Sequence, residues 1–236
     1  MNMNDLTVTP RRPTTTLKKS TKKDVRLSEI YYLAAQLIHE RGYDATSLQD
    51  IAKAVGLAKA GLYHYVATKE QLLFGVMNYA MDRVQTDVIE PASGVKDLAE
   101  RMRQIIERYA HLIIDDGQAI TLVINEATGL TTAHQRKITA RRRAFYDFVR
   151  ATVSQLKEQG LAPVLDVSVT ALSLFGVMMW LAHWYQPDGR LTREQVVAEI
   201  TELTVNRMLG LKQPANSKGR KGRNGRKGKS KNVGKE

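Results

Sequence analysis

The chain has no cysteine among its 236 residues. Disulfides are therefore excluded, and thiolate metal sites with them. The five histidines, His39, His64, His111, His134 and His183, never fall at metal-ligand spacing on one helix, and no carboxylate cluster supports them. There is no nucleophile elbow, no glycine-rich phosphate loop and no dinucleotide fingerprint. No catalytic residue, metal ligand or cofactor site is expected, so enzymatic turnover is the weakest function class. No stretch alternates as a half-buried strand does, and no segment repeats. The N-terminal MNMNDLTVTPRRPTTTLKKSTKKD is basic but lacks the apolar run of a secretory leader, so a cytoplasmic protein is expected.

Net charge is missing from the body of the chain. The total is +12, but residues 1–24 carry +4 and residues 212–236 carry +9, which leaves −1 for residues 25–211. The basicity sits in two ends, read as a disordered arm at 1–23 and a disordered tail at 212–236. The tail, KGRKGRNGRKGKSK within it, attracts polyanions at low salt whatever its design. At 43% hydrophobic over its 236 residues, the chain affords a sizeable core.

What the body does contain is helical periodicity. A first helix from about Asp24 to Arg41 carries Ile30, Leu33, Ala34, Leu37 and Ile38 on one stripe. Thr46 and Gln49 have capping-box spacing before Leu48, Ile51, Ala52 and Val55, and Gly56 stops that second helix. A third, short helix follows from Ala58 or Lys59 to Tyr65. Thr68 and Gln71 open a fourth, which should end before Pro91. A fifth helix carries Leu98 to Ile113, and Asp115 with Gln118 is spaced to cap a short sixth. Thr132 and Gln135 should open a seventh, broken by Gly160 and Pro163. The eighth runs from about Asp166 to Tyr185, and Thr192 with Gln195 caps the ninth, which lasts to Leu209. The expected fold is all-α with about nine helices. A helix-turn-helix domain spans 24–70, and a helical ligand-binding and dimerisation domain spans 71–211.

Helix, glycine turn and short helix over TSLQDIAKAVGLAKAGLYHYVATKE is the plan that places one helix in the DNA major groove. Lys59 and His64 are then expected to reach base edges or phosphates. Tyr63 and Tyr65 offer hydroxyls to the backbone and rings to thymine methyls. Thr46 and Lys69, each at a helix start, would hold phosphates, and Ser47 and Gly61 are counted with this face. The plainer alternative makes Tyr63 core and Lys69 merely solvated; Leu62 is core on either reading.

Residues 25–77 resemble the DNA-binding domain of TetR-type transcriptional regulators. The likeness is carried by Ile30, Ala34, Leu37 and Gly42-Tyr43, by Thr46-Ser47-Leu48 and Ile51-Ala52, and by Val55-Gly56-Leu57. It continues through Leu62-Tyr63-His64-Tyr65, Thr68-Lys69-Glu70 and Leu72-Leu73. Three positions depart from that family's habit: Ala58 where a capping Ser is frequent, Gly61 where Thr or Ser is, and Val66 for Phe. The resemblance implies a dimer on double-stranded DNA, at the bacterial nucleoid when bound, governed by a small molecule.

Residues Val167 to Pro187 contain 21 positions without Asp, Glu, Lys or Arg, long enough to span a bilayer. Ser168, Thr170, Ser173, His183 and Gln186 dilute that stretch, and a helix apolar on all sides is usually buried in protein. No membrane partner is expected. The eighth and ninth helices of two subunits would make a four-helix interface, as TetR-type regulators do.

The second domain should enclose an apolar pocket. Expected lining residues are Met81, Tyr109, Ile113, Phe145, Phe148 and Val149, with Phe175, Met178, Met179 and Trp180 from the eighth helix. Ordinary core packing is the competing account of each. Asn125-Glu126 with Arg141-Arg142-Arg143 and Tyr146 resembles the branch of the family that responds to acyl-CoA and steroid-CoA thioesters. A CoA ester needs arginines near a pocket mouth and an apolar tunnel behind them. The alternatives are the same repressor sensing a free fatty acid, steroid or drug, and an architectural protein that coats DNA through its basic ends.

Overall fold

The computed structural model describes residues 22–211, which form helices joined by turns and short irregular segments, with no strand among them. The basic tail at 212–236 and the arm up to residue 21 lie outside the described residues. Helix α1 spans Lys22–Arg41, two residues longer at its start than its sequence suggests, and buries Ile30, Ala34, Ala35 and Ile38. Gly42, at φ +83°, ends it. Helices α2 (Leu48–Ala54) and α3 (Lys59–Tyr63) follow, then α4 (Lys69–Arg83). Thr68 caps α4 by accepting from the Gln71 amide, as expected.

Beyond Arg83 the chain departs from the sequence expectation. It does not stop before Pro91 but passes through a π-helical turn, Val84–Ile89, into a short α5, Glu90–Ser93. Pro91 sits in the first turn of α5, directly after the π-helical turn. The expected fifth and sixth helices meet at Asp116, whose φ −131° and ψ 28° are non-helical, so α6 (Leu98–Asn125) is two helices joined across a kink. The break falls one residue after Asp115, whose carboxylate pairs with Arg193 at 2.6 Å. After a 3₁₀ turn at Ala127–Gly129 comes α7 (Thr132–Glu158), capped by Thr131 rather than Thr132. Helix α8 is Val167–Trp184. Helix α9, Arg193–Thr201, has the expected Thr192–Gln195 capping box and runs on as a π-helical segment, Glu202–Met208.

Helix α6 is the pillar of the second domain and packs against α1, α4, α7, α8 and α9. Helix α4 belongs to both halves. Leu72, Leu73, Val76, Met77, Ala80 and Met81 are all buried, so its apolar surface is divided between the N-terminal helices and α6.

The end of α4 is fastened to the kink of α6 by Arg83. Its guanidinium donates to the Asp116 carboxylate, to Asp87 Oδ2 at 2.5 Å and to Tyr79 Oη at 3.4 Å. The two ends of the main pair are perturbed unequally. Burial opposes the charge on Arg83, but Asp116 and Asp87 outweigh it and hold the guanidinium protonated. Burial pushes the Asp116 carboxyl above the usual range despite Arg83, and Asp115 and Asp87 push it further. Asp116 is the more deeply enclosed partner, with a side chain 6% exposed against 21% for Arg83.

Replacing Arg83 with Ala leaves that carboxylate unpaired, which costs about 3 kcal/mol of folding stability at pH 7. The folded pKa of Asp116 lies above its unfolded value, so proton uptake on acidification favours the folded state. The deficit of the Arg83→Ala variant should therefore shrink between pH 7 and pH 5. Urea unfolding at the two pH values measures it, and a deficit independent of pH would contradict the assignment.

Candidate functional site

The N-terminal face is built by two helix starts that differ from the sequence reading in one register. The cap of α2 is Ser47, not Thr46. Ser47 Oγ accepts from the Asp50 amide at 3.1 Å, and Asp50 Oδ2 accepts from the Ser47 amide at 2.9 Å. The Ser47 hydroxyl, which donates to Asp50 Oδ2 at 2.5 Å, and then the Ser47 amide hold the Asp50 carboxyl below the usual carboxylate range. Thr46 is buried, 1% exposed, and its hydroxyl donates to the Gly42 carbonyl at 2.8 Å. It supports the face from behind and is not free to hold a phosphate.

Gly56, at φ +67°, turns the chain into α3. Ala58 provides no side-chain cap, as its identity implies, and α3 is little more than one turn, ending at Tyr63. Leu62, 1% exposed, pins it to the core. Tyr63 is 46% exposed and points outward, which excludes the core alternative for it. Tyr65 lies beyond the helix and packs half-buried against the core, so its ring does not share the face of Tyr63. His64 is exposed at the end of α3. Among the described residues a Cβ on Gly61 would meet only Leu57, at an ordinary contact distance of 3.8 Å.

Lys69 is held rather than loose: Nζ donates to the Asp44 carbonyl at 3.2 Å and lies 4.3 Å from the Tyr43 ring centroid. Ser47, Lys59, Tyr63 and Lys69 line one concavity of about 390 Å³, with Thr46 at its back. His64, Tyr65 and Gly61 lie outside it.

The second domain holds a cavity of about 530 Å³ between α4, α6, α7 and α8. Met81, Tyr109, Phe145, Tyr146, Phe175, Met179, Arg142 and Arg143 line it, as the sequence suggests. Val84, Ile120, Val123, Thr139 and Leu172 also line it and were not singled out. Val84 stood on a recognisable apolar stripe; nothing local distinguished the other four from core.

Several expected lining residues do not reach the cavity. Ile113, Val149 and Met178 are buried elsewhere in the core, and Trp180, 63% exposed, faces outward. Phe175 and Met179 are four residues apart and share a helix face, whereas Met178 and Trp180 are each turned about 100° to either side of Met179. Asn125 is exposed at the end of α6 and Glu126 is its C-cap; neither lines the cavity.

The three consecutive arginines separate by direction. Arg141 pairs with Asp82 at 2.7 Å and donates to Asn78 Oδ1 at 2.7 Å, tying α7 to α4. Arg143 pairs with Asp147 at 2.9 Å and lies 5.5 Å from the Tyr146 ring. Arg142 lines the cavity and has no acidic partner among the described residues. The inner wall is an edge-to-face aromatic cluster. Tyr109 meets Phe145 at 5.0 Å and 79°, and Phe145 meets Phe175 at 5.1 Å and 88°.

A second joint ties α7 to α4 near the reading face. Glu70 Oε1 accepts from the Thr131 amide at 3.0 Å and lies 2.7 Å from His134 Nδ1. Phe74 stacks on His134 at 3.8 Å. Burial opposes the Glu70 charge, but the Thr131 and His134 bonds prevail and hold its carboxyl below the usual range.

Residues 30–76 match the profile of bacterial regulatory proteins of the tetR family, and residues 95–208 match the tetracyclin repressor-like C-terminal domain. The crystal structure of AibR in complex with isovaleryl coenzyme A and operator DNA superposes with a TM-score of 0.68 at 36% identity, over 75% of this chain and 97% of that one. The chain belongs to the TetR family. Its members are DNA-binding regulators, not enzymes. Among curated relatives of this TetR-family chain, the transcriptional repressor KstR2 of Mycobacterium tuberculosis (strain ATCC 25618 / H37Rv) is 27% identical over 180 residues, covering 72% of this chain and 86% of KstR2. The transcriptional activator FasR of Mycolicibacterium smegmatis is 26% identical over 165 residues, covering 67% of this chain and 74% of FasR. Among the described residues no group of three or more His, Cys, Asp or Glu is placed to hold a metal ion.

Proposed function

We propose that this protein is a cytoplasmic, dimeric transcriptional repressor that reads a palindromic operator with α3 and is released by an acyl-CoA thioester. Arg142 carries the effector reading: an unpaired cation on the wall of an aromatic-lined cavity suits a ligand with an apolar group and an anionic end. AibR, crystallised with isovaleryl coenzyme A, supports the same ligand class over a free fatty acid, steroid or drug.

On the DNA side, Lys59 and Tyr63 project from α3 towards base edges and phosphates. Ser47 and Lys69 hold phosphates at the starts of α2 and α4. Gly61 admits close approach, and His64 reaches the flanking backbone. Lys59→Ala and Tyr63→Ala should each weaken operator binding about ten-fold or more in a gel shift, with unchanged melting because both side chains are exposed. Lys59→Ala should also lower the salt slope of binding by about one. Full affinity in both variants would remove α3 from the groove.

The dimer reading is supported by α8. It is long and apolar enough to cross a membrane, yet it buries Ala171, Leu174, Met178 and Leu181 in its own subunit. Val169, Trp180 and Trp184 stay exposed on it, with Leu203 exposed on the segment after α9. A second subunit covers this stripe in the reading proposed here. Trp180→Arg and Leu203→Arg should give folded monomers by analytical ultracentrifugation. Leu174→Arg, by contrast, should unfold the subunit, because Leu174 is 1% exposed inside it. A wild-type monomer at micromolar concentration would refute the interface.

Repression requires the two α3 helices about one DNA turn apart, ~34 Å. A ligand releases DNA only by preferring the other geometry, and a 100-fold preference is worth about 2.7 kcal/mol. Titrated into the protein–operator complex, acyl-CoA should dissociate it at far lower concentration than the matching free acid. Equal potency would exclude the thioester while leaving the repressor intact.

A further inference from the structure

We propose that the Tyr109 hydroxyl is the donor that selects the effector, by bonding a carbonyl oxygen within the apolar part of the cavity. The proposal rests on the effector-cavity reading above. Tyr109 lines the cavity and is 5% exposed. Its hydroxyl has a single partner among the described residues, Met179 Sδ at 3.2 Å. A thioether sulfur is a weak acceptor, and a buried phenol normally finds a better one. The ring packs edge-to-face against Phe145 and Phe175, at 5.0 Å and 6.1 Å, so packing alone would be met by phenylalanine.

The mobility of the two partners differs. Tyr109 is clamped between rings, which presents its hydroxyl in a fixed direction. Met179 also lines the cavity, and its unbranched side chain can swing away at little cost. The sulfur thus occupies the place of a stronger acceptor and yields to it. Burial pushes the phenol pKa well up, with the Arg142 charge opposing, so the group is a neutral donor at any physiological pH. A neutral donor in an apolar chamber favours a neutral acceptor, because desolvating a carboxylate there costs far more than desolvating a carbonyl.

The acceptor is a thioester carbonyl or a ketone further along the acyl group, and the test separates them. Wild type and Tyr109→Phe are titrated calorimetrically with isovaleryl-CoA and with the matching S-alkyl-CoA thioether, which lacks the carbonyl. Wild type should prefer the thioester by about ten-fold, and Tyr109→Phe should bind both as wild type binds the thioether. An equal fall for both ligands, or no preference in wild type, overturns the thioester carbonyl. A methyl ketone and the alkane of equal length form the second pair. A ketone preference confined to wild type places the carbonyl on the acyl group, and this pair still decides if neither CoA ligand binds. No preference in either pair overturns the proposal outright. The free protein provides an independent readout. Tyr109→Phe should melt no lower than wild type, since only a thioether contact is lost. A drop of several degrees would make the hydroxyl structural and sink the assignment.

Discussion

Helix α4 is the constraint on which the rest of the molecule depends. Its first turn is capped by Thr68 beside the reading face, and its last carries Met81 and, one residue past Arg83, Val84 into the cavity wall. Between them, six buried side chains hold it against both halves of the protein. A rigid element that is core at both ends cannot move at one without moving at the other, because a close-packed interior does not deform continuously. The Arg83–Asp116 pair extends the same logic to α6, at the one residue where that helix leaves regular geometry. The π-helical turn that follows lets the chain change direction without breaking, and such turns are frequent at functional sites.

Helix α7 is fastened to α4 twice, and this makes the cavity more than a hole. Near the reading face Glu70, Thr131, His134 and Phe74 form one joint; further along, Arg141 reaches Asp82 and Asn78. The next two residues of α7, Arg142 and Arg143, line the cavity. The division of labour among three adjacent arginines follows from the 100° turn per residue, which aims each at a different neighbour.

The local parts of this architecture were legible in the sequence. Caps and glycine stops act within a few residues, so α1, the turn at Gly56, the cap of α4 and the capping box of α9 were all readable. The errors arose where two local readings were degenerate. Thr46–Gln49 and Ser47–Asp50 both have capping spacing; the burial of Thr46 against Gly42 decided between them. Asp115–Gln118 looked like a helix start, and the break does fall there, one residue on at Asp116, whose carboxylate Arg83 holds from 33 residues away. Pro91 looked like a stop, but after the π-helical turn it falls where a helix tolerates it.

The amino-acid sequence by itself determined the helical class, the short exposed helix that carries Lys59 and Tyr63, and the aromatic and arginine residues from which the cavity is made. Tertiary structure alone decided which of them face it. Helix α8 shows why. It is apolar nearly all round, so its composition carries no phase, and packing against α6 and α7 assigned Leu174 and Met178 to the core, Met179 to the cavity and Trp180 to the outside. The same holds for Tyr109, whose hydroxyl is an ordinary feature of a sequence and becomes a poorly satisfied donor only once Phe145, Phe175 and Met179 close around it. Periodicity fixes which residues share a helix face, but what that face meets depends on helices distant along the chain.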